Sequence, residues 1–134
     1  MERMNRKTLL WDVFVLIASI ALLHTLASVY SLYWSVWWFD IVLHTLGGAW
    51  AFLLSVWLLY FSGYVSGGSK TKYSAFWKGL GLAILIGVLW EVFEYYMGAT
   101  YADDYMIDTI CDIVSDTAGA LMASLYFLRR FNRR

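Results

Sequence analysis

Four apolar runs divide this chain, at about residues 9–30, 39–62, 74–97 and 107–128. A helix rises about 1.5 Å per residue and the hydrocarbon core of a bilayer is about 30 Å thick, so ~20 apolar residues make one crossing. Within hydrocarbon a segment must satisfy its own backbone N–H and C=O groups, and for runs of this length the α-helix is the conformation that does so. The sequence has no proline, so the spans are expected to run unbroken. Short connections place successive helices antiparallel. The expected fold is all-α, a polytopic membrane protein in which an antiparallel bundle of four transmembrane helices forms one membrane domain over residues 1–134.

Composition agrees with that reading. Of the 134 residues, 61% are apolar and 19% aromatic, and the formal net charge is +0. The lipid bilayer is thus the expected partner, and no basic excess points to nucleic acid. A single cysteine, Cys111, excludes an internal disulfide and a cysteine metal cage, and it is expected to sit buried as a small apolar side chain. Arg3, Arg6 and Lys7 before the first run imitate the start of a secretory signal. Asp12 and His24 are foreign to such a segment, so the run reads as a retained first span.

The basic residues give an orientation. They fall in the N-terminal segment, at Lys70, Lys72 and Lys78 around the second connection, and at Arg129, Arg130, Arg133 and Arg134. The connection over 31–38 has none, and that over 98–106 carries only Asp103 and Asp104, read as a hydrated loop. The positive-inside rule then sets the protein in the cytoplasmic membrane with both termini and the second connection cytoplasmic. The aromatics of Tyr30–Phe39, with Tyr95, Tyr96, Tyr101 and Tyr105, would form an outer interfacial belt. The second connection reads as a Gly/Ser linker. Gly47, Gly48, Gly87 and Gly119 read as positions where helices approach closely.

This topology gathers ionisable residues into one layer. Asp40 and His44 open the second span, Glu91 and Glu94 close the third, and Asp108, Asp112 and Asp116 descend from the start of the fourth. Spacings of three and four stack side chains on one helix face. His24 lies at similar depth in the first span, either as a hydrogen-bonded histidine or as a ligand. Six carboxyl groups (Asp40, Glu91, Glu94, Asp108, Asp112 and Asp116) thus meet two histidines and no Lys or Arg. A charged side chain at the bilayer centre costs about 2.5–3.5 kcal/mol on insertion scales. Protons, a metal cation or a water-filled cleft must therefore neutralise the layer. Asp12, at the opposite end, is expected to pair with a basic residue of a tail.

Asp40, His44, Glu91, Glu94, Asp108, Thr109, Asp112, Gly119 and Ala120 lie in the pattern FD-x3-H, WE-x2-E and DT-x2-D-x6-GA. That pattern resembles the YjdF-like family of small bacterial and archaeal membrane proteins over about the last two thirds of the chain. The resemblance implies a shared set of site residues and names no reaction. Asp116 stands outside the pattern.

Three functions compete. Carboxylates with one or two imidazoles suit a divalent metal ion such as Mn, Fe, Zn or Mg, with His44, Glu91, Glu94, Asp108, Asp112 and Asp40 as ligands and Asp116 and His24 as possible additions. Such an ion could act on a lipid or another phosphate-containing ligand at the outer leaflet. Intramembrane acids also mark cation and proton paths, although four unbroken spans would need to oligomerise for alternating access. The third reading is an accessory subunit, whose acids form a structural hydrogen-bonded network.

Overall fold

The computed structural model describes residues 6–64, 71–98 and 105–132. Arg3, Lys70, Tyr101, Asp103, Asp104, Arg133, Arg134 and residues 65–70 of the Gly/Ser linker lie outside the described residues. The chain forms helices α1 (Arg6–Tyr30), α2 (Leu32–Ser35), α3 (Phe39–Tyr60), α4 (Lys72–Met97) and α5 (Tyr105–Asn132). The described residues contain no strand. Four of these helices are long and apolar enough to cross a membrane. The protein is an all-α, polytopic membrane bundle, as the apolar runs imply.

Local chemistry sets the boundaries. The Thr71 side chain accepts a hydrogen bond from the Ser74 N–H at 3.2 Å and so caps the start of α4. At the other end of α4, Gly98 takes φ 64° and its N–H returns to the Glu94 and Tyr95 carbonyls, the left-handed closure that glycine adopts without strain. Helix α5 ends on Arg129 and Arg130, which complement the negative end of its dipole. The short α2 interrupts the first connection, entered through Ser31 at φ 56°.

Helix α3 is the centre of the assembly. It packs against α1, α4 and α5, while α4 and α5 also pack on each other. Among the described residues α1 rests on α3 and on the short α2, and at one end its Asp12 reaches α5. The Arg130 guanidinium stands 3.4 Å from Asp12 and the Tyr126 hydroxyl donates to it at 3.0 Å. The expected pairing of Asp12 with a basic tail residue is thus present.

Helices α3 and α5 meet most closely through Gly48 and Gly119. A Cβ on Gly48 would strike the Asp116 backbone carbonyl, and one on Gly119 would strike the Thr45 carbonyl. This backbone-to-backbone approach is the kind that small residues permit between membrane helices.

The interior has two storeys. In the half nearest Asp12 it is apolar, built from Leu9, Val13, Phe52, Val56, Ala83 and Phe127 and their neighbours. Phe52 and Phe127 meet edge to face there, with centroids 6.3 Å apart. The other half holds the acids. Around the outside, Leu22, Val29, Leu85, Leu89, Ile110, Val114, Leu121 and Leu125 are exposed, which on a membrane bundle is the lipid face. Large exposed aromatics ring both ends: Tyr30, Trp34, Trp37 and Tyr96 at the acidic end, and Trp11, Tyr64, Tyr73 and Trp77 at the other. Their apolar bodies and polar tips suit the two membrane–water interfaces. Cys111 corrects the expectation of a buried thiol, since it lies exposed on the outer face of α5. A small apolar side chain is as comfortable in lipid as in a core, so composition alone did not decide the side.

Candidate metal centre

The start of α3, the end of α4 and the start of α5 share one end of the bundle, and each turns its acids inward. On α3, Asp40 lies in the first turn and His44 one turn deeper. On α4, Glu91 and Glu94 lie in the last two turns. Asp108, Asp112 and Asp116 follow one another down the first three turns of α5. Burial deepens along that ladder. Asp40 and Asp108 are half-buried, whereas His44, Glu91, Asp112 and Asp116 are buried.

His44 is the hub. Its Nε2 lies 3.7 Å from Asp112 Oδ1 and 3.8 Å from Asp40 Oδ1, and its Nδ1 lies 3.5 Å from Asp116 Oδ2. The ring therefore offers one nitrogen to the upper acids and the other to Asp116. One donor atom each from His44, Glu91, Glu94 and Asp112 falls within 4.8 Å of the others. Asp40, Asp108 and Asp112 form a second set at the same mutual spacing. All six residues that the sequence singled out thus stand in one connected cluster, with Asp112 common to both sets.

Asp116, outside the family-like pattern, is inside the structure. Its carboxylate occupies a slot between the three helices. Oδ1 would lie 3.6 Å from a Cβ placed on Gly47, and Oδ2 only 2.6 Å from one on Gly87. Two of the four glycines read as helix-packing positions, Gly47 and Gly87, therefore face this carboxylate, and Gly48 meets the backbone of the same residue. His24 stands apart: it lies exposed on α1, its Nδ1 2.6 Å from the Tyr33 hydroxyl, and it belongs to neither donor set. Its partner escaped the sequence reading because Tyr33 belongs to the turn around α2, not to the same helix.

The side-chain donors that stand beside the carboxylates are the Trp90 indole at Glu94, the Thr109 hydroxyl at Glu91 and the His44 ring at Asp116. Thr45, Ser115 and Thr117 spend their hydroxyl protons on the carbonyls of Ile41, Cys111 and Ile113 one turn back. Among the described residues, the ion pairs of Asp40, Asp112 and Asp116 are all with His44. Glu91 is 4% exposed, and its Oε1 is buried without a hydrogen-bond partner. The nearby Thr109 hydroxyl is likewise buried. A buried polar atom left unpaired costs about 1–3 kcal/mol, more when charged.

Four apolar helices, three of which enclose a cluster of acids, define a polytopic helical membrane protein. The chain belongs to the family of predicted membrane proteins designated DUF2238, which matches residues 1–133. That match includes the first span, where the shared motif has no counterpart. No curated protein and no solved structure matches the chain.

Proposed function

We propose that the acidic storey is a divalent-cation site, through which the protein holds a phosphate-bearing ligand at the membrane surface. The observation that carries this reading is Glu91. Its carboxylate is buried among His44, Glu94 and Asp112, with the Thr109 hydroxyl nearby but one oxygen, Oε1, in no hydrogen bond. A cation supplies what that oxygen lacks and offsets the repulsion among its neighbours. Around a transition-metal ion bound at about 2.0–2.2 Å, ligand atoms sit roughly 3–4 Å apart. Small side-chain rotations bring atoms within 4.8 Å to that spacing. One imidazole with three carboxylates suits Mn, Fe or Zn, and Mg where water completes the shell.

The phosphate part of the proposal follows from charge. A site lined with carboxylates repels an anion unless a cation stands between them. Half-buried Asp40 and Asp108 leave the mouth of the cluster open to such a ligand. Transport finds less support. Beyond Asp116 the interior is lined by Ala51, Phe52, Ala120 and Phe127, and Asp12, at the far end, is held by Arg130 and Tyr126. A structural acid network would instead pair its buried oxygens, and Glu91 Oε1 is unpaired.

Thermal melting of the purified protein tests the reading. A ligand that binds only the folded state at 100 times its Kd stabilises it by about 2.7 kcal/mol. Melting temperature should therefore rise with Mn, Zn or Mg concentration, and the gain should vanish in Glu91→Gln and Asp112→Asn. Both amides should equal or exceed the wild type in chelator, where they relieve repulsion. A wild-type melting curve indifferent to every cation and to chelator would overturn the proposal.

A further inference from the structure

We propose that the site holds two divalent cations side by side, with the Asp112 carboxylate bridging them. The inference rests on the cation-binding reading and specifies its form. Asp112 is the one residue that belongs to both donor sets. It is 3% exposed, and its ion pair is with His44, whose Nε2 lies 3.7 Å from Oδ1. A buried carboxylate has two oxygens to satisfy, and this one stands between two groups of donors that lack cations of their own.

The two positions differ in chemistry. The inner one is marked by the unpartnered Glu91 oxygen and adds the His44 imidazole to Glu91, Glu94 and Asp112, a mixed set that suits Mn, Fe or Zn. The outer one is all oxygen, from Asp40, Asp108 and Asp112, and two of those residues are half-buried. Such a position suits a hard cation that keeps several waters, such as Mg or Mn. Charge points the same way. The six carboxylates of the storey carry six negative charges when ionised, and one dication removes two of them. A second, seated with Asp40 and Asp108, which the first set leaves out, removes two more and leaves waters exposed at the mouth. Paired cations about 3.5–4 Å apart clamp the oxygens of a phosphoryl group, so the ligand class this arrangement fits is a phosphate ester or diphosphate.

Manganese serves as both ligand and probe. Purified wild-type protein, equilibrated with Mn(II) and freed of excess, should retain two Mn per chain. Its electron paramagnetic resonance spectrum should be the broad signal of an exchange-coupled pair. The double substitution Asp40→Asn with Asp108→Asn, at half-exposed positions that leave the buried core intact, should retain one Mn and give the six-line spectrum of an isolated ion. Asp112→Asn should abolish the coupling and weaken retention at least tenfold. One uncoupled Mn in the wild type, unaffected by the double substitution, would overturn the paired arrangement and leave the single-cation reading standing. No retained Mn, together with melting indifferent to cations, would overturn both.

Discussion

Asp116 turns the geometry of one residue into a requirement on another. Its Oδ2 lies 3.5 Å from His44 Nδ1, and its slot exists because Gly87 has no side chain. A carboxylate on one imidazole nitrogen orients the ring and leaves the other nitrogen for a metal, and loss of such a partner typically weakens metal binding about 10–100-fold. Gly87→Ala would push that carboxylate aside, since a flexible carboxylate end yields more easily than backbone does. Gly81, on the same helix, faces open space. Both substitutions gain the same helix propensity, about 0.5–1 kcal/mol. Gly87→Ala should therefore lower cation affinity by about 10–100-fold, measured by melting against Mn concentration, while Gly81→Ala leaves it unchanged. Equal affinity in the two variants would refute the positioning role. The sequence placed Asp116 at the right depth but not in its slot. Which glycines face a neighbouring backbone and which face a carboxylate depends on the rotation of each helix about its axis, and spacing alone does not set that.

Elements were the most legible level. The four apolar runs anticipated helices at 6–30, 39–60, 72–97 and 105–132 to within a few residues at each end, because span length is fixed by the thickness of hydrocarbon. The four-residue α2 was hidden, being too short to carry a period. Helix packing was legible in proportion to pattern. On α5, Asp112, Ser115, Asp116, Gly119, Ala120, Ala123, Ser124 and Phe127 are buried, while Ile110, Val114, Leu121 and Leu125 face outward. The small and polar stripe turns inward and the large apolar one turns to lipid, the reverse of a soluble helix, and this stripe could be read directly. Helix α1 is apolar on nearly every face, so nothing in its sequence announced that it would pack along α3 and touch α5 at its Asp12 end.

At the scale of the whole molecule, the two ends differ in charge, and we propose that this difference sets the orientation. Lys7, Lys72, Arg129 and Arg130 lie at the end away from the acidic storey. The positive-inside rule puts that end in the cytoplasm. Trp37 and Tyr64, 82% and 86% exposed, mark opposite ends. In a Cys111→Ser background, Trp37→Cys should react with a membrane-impermeant maleimide added outside intact cells. Tyr64→Cys should react only after permeabilisation. The opposite pattern would invert the protein and put the acidic storey on the cytoplasmic side.

The inward ladder of acids on α5 bears on how the chain enters the bilayer during synthesis. Aspartate near the centre of a span opposes insertion by about 2.5–3.5 kcal/mol, and α5 carries Asp112 and Asp116 within its buried stripe. It leaves the ribosome after α3 and α4, when His44 on α3 and the Gly48 and Gly87 surfaces are already in place. Insertion of α5 is thus expected to be a docking event, in which the translocon hands a poor solo segment to helices that shelter its carboxylates. Glycosylation mapping should find α5 inserting weakly when grafted alone into a host protein and efficiently when α3 and α4 precede it. Equal insertion in both settings would mean that the lone helix finds its own way to neutralise its acids.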